Sequence, residues 1–158
     1  MYASNTPIHS IAACDGGQSL AVAGKDGTLL LFRVDVNASK MALQEAKHWN
    51  VTHGKPVGAD DGPIIDMQPL DHSSQSLVVY TTLYGAIVCW DFRMHDTAWR
   101  LQSGLRNGVL TSFCVDPTSS WLATGTSSGK HICWDLRFRL PIGEFKEFIA
   151  YKRVILIK

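Results

Sequence analysis

No apolar run in the sequence approaches the roughly 20 residues needed to span a bilayer as a helix. The opening residues, Met1-Tyr2-Ala3-Ser4-Asn5-Thr6-Pro7, have neither a basic flank nor an apolar core, so no signal peptide is expected. Charge of one sign is lacking too: 15 Lys and Arg stand against 14 Asp and Glu, a formal net charge of +1. Without a basic cluster the chain has no electrostatic footprint for nucleic acid. Cysteine is sparse, with 4 in 158 residues, too few for a disulfide scaffold. Buried free thiols in a reducing compartment are expected instead. Asn37-Ala38-Ser39 and Asn50-Val51-Thr52 fit the glycosylation pattern, but without a signal peptide they read as chance matches.

Catalytic signatures are missing as well. The six histidines (9, 48, 53, 72, 95 and 131) are scattered, and none stands with Cys or acidic partners at zinc-like spacing. There is no Gly-x-Ser-x-Gly elbow, which removes sequence support for a serine nucleophile. Asp60-Asp61-Gly62 reads as a solvated turn. A Gly-rich loop before Val-Ala-Ile-Lys, His-Arg-Asp and Asp-Phe-Gly are all absent, so these residues carry no machinery for phosphoryl transfer. No metal or cofactor is expected.

What is present is a globular composition, 46% hydrophobic and 18% charged, organised by a repeat. A turn glycine is followed five residues later by an aromatic residue in three places: Gly27 to Phe32, Gly85 to Trp90 and Gly129 to Trp134. In the second and third copies the aromatic leads into Asp and Arg, as Trp90-Asp91-Phe92-Arg93 and Trp134-Asp135-Leu136-Arg137. The pairs Asp91/Arg93 and Asp135/Arg137 are two apart and would share one strand face, pairing locally or accepting backbone N–H groups at a turn. Phe32, Trp90 and Trp134 end apolar strands, which points to packing between repeats.

Short strands are expected at 10–15, 20–24 and 28–34, then 64–68, 77–82, 86–93 and 98–101, then 110–115, 121–125, 130–137 and 140–142. Leu29-Leu30-Leu31-Phe32 is apolar without alternation, which suggests burial on both faces and stacked sheets. Residues 42–47 read as one or two helical turns, and 47–52 as an irregular outer strand around Trp49. Successive turn glycines are 58 and then 44 residues apart, an excess expected as an insertion within 38–61 in an exposed connection. Four short strands at a period near 44 is the arithmetic of a propeller blade. The reading is therefore all-β: a partial β-propeller of about three four-stranded blades and the start of a fourth. Residues 7–52 make blade one, 53–61 a loop, 62–104 blade two and 105–143 blade three. The tail, 144–158, carries Val154-Ile155-Leu156-Ile157 where the period places the first strand of blade four.

The Trp-Asp pairs and their spacing make the chain resemble WD-repeat proteins. It departs from them in lacking a Gly-His pair at the start of each unit, so the hydrogen-bond set joining Trp to Ser/Thr, His and Asp should be incomplete. The run from Leu110-Thr111-Ser112-Phe113 through Gly125-Thr126-Ser127-Ser128-Gly129 to Cys133-Trp134-Asp135-Leu136-Arg137 resembles more closely the C-terminal WD-repeat domain of the phosphoinositide 3-kinase regulatory subunit 4 family. Ile65-Asp66-Met67-Gln68, Val78-Val79-Tyr80 and Ala98-Trp99 agree with it in the preceding unit.

That resemblance implies a non-catalytic fragment of a larger scaffold, whose family has a kinase-like domain and helical repeats ahead of its propeller. It further implies assembly with a lipid kinase catalytic subunit and coiled-coil partners of a class III phosphatidylinositol 3-kinase complex. The expected setting is cytoplasmic, at endosome or autophagosome membranes reached only through the complex. The alternative is a WD-repeat adaptor of an unrelated pathway. Either way, three blades leave two sheet faces uncovered, so the isolated chain is expected to associate or partly unfold.

Overall fold

The computed structural model describes residues 7–25, 27–37, 40–50, 61–72 and 75–146, and within them the fold is all-β with two short 3-10 turns. Twelve strands form three antiparallel four-stranded sheets, each strand pairing with its neighbours in sequence. The first sheet holds β1 (Ile8–Cys14), β2 (Ser19–Gly24), β3 (Thr28–Asn37) and β4 (Lys40–Asn50). The second holds β5 (Ile64–His72), β6 (Gln75–Thr82), β7 (Ala86–Asp91) and β8 (Asp96–Gln102). The third holds β9 (Leu110–Val115), β10 (Trp121–Thr126), β11 (Lys130–Asp135) and β12 (Leu140–Lys146). Hairpins joined by tight turns need no crossover, so each sheet is built from one continuous stretch.

The sheets stack in series. One apolar cluster joins the first sheet to the second, through Ala12, Ala21 and Leu29 against Met67, Val78 and Tyr80. Another joins the second to the third, through Val79, Ile87 and Cys89 against Leu122, Ile132 and Trp134. Side chains alternate between faces along a strand, so the second sheet spends Val78, Tyr80 and Val88 on one neighbour and Val79 and Ile87 on the other. This is why β7 is buried at nearly every position, whereas β10 alternates between buried and more open residues.

Polar ties run between adjacent first strands. His9 Nδ1 donates to the Ile64 carbonyl at 3.0 Å, and Ser10 Oγ donates to Asp66 Oδ1 at 3.5 Å. Gln68 bridges β5 to β9 with both ends of its amide: Nε2 donates to the Phe113 carbonyl at 3.1 Å, and Oε1 accepts from the Val115 N–H at 3.0 Å. Leucine at this position would leave a donor and an acceptor without that partner. Gln68→Leu is expected to cost about 1–3 kcal/mol, measurable by urea unfolding.

Several expectations need correction. Residues 42–47 are not helical: they lie in β4, paired with β3 from Thr28↔Asn50 to Asn37↔Lys40. The extra length within 38–61 is accordingly not all connection. β3 and β4 have 10 and 11 residues, where β7 and β8 have 6 and 7, so part of it lengthens a hairpin. β11 stops at Asp135 rather than 137, and β12 runs to Lys146, taking Glu144 and Phe145 into the third sheet. Leu29 is fully buried, but Leu30, Leu31 and Phe32 are only partly so. All four cysteines are free, yet Cys114 is exposed and Cys133 half-buried, so the expected buried-thiol set reduces to Cys14 and Cys89. Residues 51–60, where most of the expected 53–61 loop falls, and 147–158, including the segment assigned to a fourth blade, lie outside the described residues.

Candidate functional site

The repeat positions define a backbone frame reproduced three times. At each central turn the glycine has positive φ: 78° at Gly27, 96° at Gly85 and 76° at Gly129. Each glycine N–H donates to the carbonyl three residues back, Gly24, Thr82 and Thr126, at 3.1–3.2 Å. Each turn is also tied to the start of the sheet's first strand, by Lys25 N–H to Pro7, Leu83 N–H to Pro63 and Ser127 N–H to Val109.

A register shift immediately precedes the aromatic in all three sheets: Leu31/Phe32, Cys89/Trp90 and Cys133/Trp134. In each case the partner strand carries the extra residue, Ala46, Ala98 or Ile142. A second shift recurs on the first strands, at His9, Ile65 and Thr111. Bulges increase local twist, so the three sheets bend alike beside their aromatics and can nest. Sequence reasoning missed both bulge sets, for they carry no common residue type.

The aromatics face backward along the stack. Trp90 packs against the cluster shared with the first sheet, and Trp134, 5% exposed, against that shared with the second. Trp134 Nε1 donates to Thr124 Oγ1 at 3.1 Å, and Thr124 in turn donates to the Ile132 carbonyl. Tyr80 takes the place of Thr124 in the second sheet and Val22 in the first, so the Trp–Thr limb is confined to one repeat. Phe32 occupies the same backward-facing position on the first sheet, where it is only partly covered.

Asp91 and Asp135 are the turn-makers. Asp91 Oδ1 accepts from the N–H groups of Arg93 and Met94 at 2.8 and 3.3 Å, and Asp135 Oδ1 accepts from Arg137 and Phe138 at 2.8 and 3.0 Å. Arg93 and Arg137 therefore lie in the turns, not on the strand face with their aspartates. Each still reaches back to its own: Arg137 Nη2 lies 3.2 Å from Asp135 Oδ2, and Arg93 Nε 3.9 Å from Asp91 Oδ1. The four-residue turns close on His95 and Arg139, both at positive φ. In the first repeat Arg33 follows Phe32, no carboxylate is there to collect turn amides, and β3 runs on to Asn37.

Three charged groups are shifted by these surroundings. Phe138's N–H, with Arg137, holds the Asp135 carboxyl below the usual carboxylate range. Burial raises that of Asp66 despite the Met67 N–H and Ser10 hydroxyl. Arg100 is raised by its two-pronged pair with Asp61, at 2.7 and 2.6 Å, a clamp that pins Asp61 beside β8. Burial also pushes the Cys89 thiol up to about 12, which keeps it protonated and unreactive.

The two aspartates make opposite pH contributions. Asp135, depressed when folded, adds stability above its unfolded pKa that disappears as pH falls through the folded one. Asp66, raised when folded, subtracts stability at neutral pH and is relieved as pH falls through its folded value. Asp135→Asn should thus lower the melting temperature at pH 7 more than at pH 3. Asp66→Asn should raise it at pH 7 with little change at pH 3, in melts followed by circular dichroism.

No group of three or more His, Cys, Asp or Glu suited to a metal occurs among the described residues. No protein-family model matches the sequence. A probable serine/threonine-protein kinase vps15 from Dictyostelium discoideum is 35% identical over 136 residues, covering 85% of this chain. The chain is related to a segment of VPS15. Serine/threonine-protein kinase VPS15 of Arabidopsis thaliana is 26% identical over 80% of this chain, and a putative VPS15 kinase of Komagataella pastoris is 25% identical over 90%. The chain spans only 7%, 9% and 11% of these VPS15 relatives, so each match covers one small region of a long protein.

Proposed function

We propose that this chain is a non-catalytic WD-repeat segment of a class III phosphatidylinositol 3-kinase regulatory subunit, acting in protein–protein assembly. The observation that carries this reading is the use made of the repeat residues. Gly27, Gly85 and Gly129 shape turns, Trp90 and Trp134 fill sheet junctions, and Asp91, Asp135, Arg93 and Arg137 organise the turn tips. Residues spent on rigidity suit a platform that presents loops to partners at little entropic cost on binding. On this reading phosphoryl transfer belongs to other parts of VPS15-like proteins, and the partners are a lipid kinase catalytic subunit and its coiled-coil associates. The setting is cytoplasmic, at endosomal or autophagosomal membranes reached through the complex.

The test is recovery of the tagged native gene product from cells. A lipid kinase catalytic subunit should co-purify with the wild type and be lost or reduced with Trp134→Ala. A wild-type preparation that brings down a different stable partner and no lipid kinase would rule the assignment out.

A further inference from the structure

A recess of about 410 Å³ opens at the junction between the second and third sheets. Gly104 and Asn107, on the connector from β8 to β9, line one side, and Pro141 and Ile142 of β12 line the other. Buried Ile132 and Trp134 form its floor. The bulge beside Trp134 makes the β12 side apolar. Ile142 is the extra residue there, where the other two sheets carry Ala46 and Ala98, and it is 63% exposed.

Leu105 and Arg106 lie between the two lining residues of the connector, in the 3-10 turn Leu105–Asn107. Leu105 is 67% exposed, yet the backbone that carries it is clasped from both neighbouring turns. Ser103 N–H donates to the Gly85 carbonyl at 2.8 Å, and Val109 N–H donates to Ser127 Oγ at 3.2 Å. Ser128 Oγ donates to the Asn107 carbonyl, and Lys130 Nζ donates to Asn107 Oδ1 at 2.9 Å. A leucine held out by a fixed backbone gives up little conformational freedom when a partner covers it.

The charges select the occupant. Arg100 is paired with Asp61, and Lys130 with Glu144, which also lines the recess. The Arg106 guanidinium is exposed and makes no hydrogen bond or ion pair with another described residue. A concave apolar surface beside an uncommitted guanidinium suits an apolar side chain with a carboxylate close by. The apolar area continues past the recess to Leu105, farther than a small molecule filling the recess would reach. A single such cation contributes only about 1 kcal/mol at an anionic bilayer, so a protein segment is favoured over a membrane.

We propose that this recess is the docking site for an acidic, apolar segment of a partner protein. The partner's apolar side chain enters between the connector and β12, Leu105 packs on its flank, and Arg106 binds its carboxylate. The inference rests on the assembly reading above and adds the chemistry of one partner.

The test is photo-crosslinking in cells, with a benzophenone amino acid placed at Leu105 of the tagged native gene product. The crosslinked peptide should come from a second protein and carry an apolar residue close in sequence to Asp or Glu. Arg106→Glu and Ile142→Asp, both at exposed positions, should each lower the crosslinked yield about tenfold or more with an unchanged circular dichroism spectrum. Replacing the partner's carboxylate with lysine should restore the yield for Arg106→Glu alone. A crosslink to lipid, to another segment of the same polypeptide or to a peptide without a carboxylate would overturn the proposal, as would a yield indifferent to Arg106→Glu. A preparation that contains the lipid kinase but no crosslink would sink the docking site and leave the assembly reading standing, whereas absence of the kinase would count against that reading.

Discussion

Replacing Gly85 with Ala is expected to be the most damaging single substitution in the second sheet, at a cost on the order of 4 kcal/mol. Two effects add. Gly85 has φ 96°, outside the range an L side chain occupies without strain, and a Cβ there would land on the carbonyl oxygen of Ser103. That carbonyl belongs to backbone, and Ser103 is buried and held by its N–H to the Gly85 carbonyl at 2.8 Å. Relief requires β7 and the end of β8 to separate at the turn. Gly16→Ala is the control: φ is 62°, but nothing lies within 4 Å of the added atom. Its cost should be only the backbone term of about 1–2 kcal/mol. Equal losses for the two variants in urea unfolding would show that the clash with Ser103 is not what constrains the turn.

Trp134→Ala is expected to cost about 3–5 kcal/mol, a large part of the roughly 5–15 kcal/mol that stabilises a domain. The indole fills the junction between the second and third sheets and supplies the donor to Thr124. Trp134→Phe should recover most of this, losing about 1 kcal/mol with the hydrogen bond, since Thr124 can still donate to the Ile132 carbonyl. Phe138→Ala, at a turn tip 72% exposed and stacked under Arg137, should fall within about 0.5 kcal/mol of wild type. A Trp134→Ala variant as stable as Phe138→Ala would mean that this aromatic does not hold the sheets together.

The all-β class and the three-sheet arrangement were legible because they depend on signals that side chains carry openly. Turn glycines, apolar runs and the five-residue step to Phe32, Trp90 and Trp134 all survive in single residues. The length of the β3–β4 hairpin was not legible. Whether a strand ends after its aromatic depends on a carboxylate collecting two turn amides, and Arg33 in place of Asp reads as an ordinary substitution until the backbone is seen. Ala42–Lys47 looked helical because its composition suits a helix and its pairing with β3 is remote information. The bulges at Ala46, Ala98 and Ile142 fall on aliphatic residues of a kind found throughout the strands, so nothing in the sequence marks them. Asp61 reads as part of a polar loop, and only the fold brings Arg100 against it.

Coverage of the middle sheet on both faces orders the way the array comes apart. Shedding an end sheet breaks one junction, while extracting the middle breaks two. Opening of a free chain should therefore peel inward from either flank, and refolding should begin at the centre. Amide protons along β6 and β7 would then be the last to exchange with solvent.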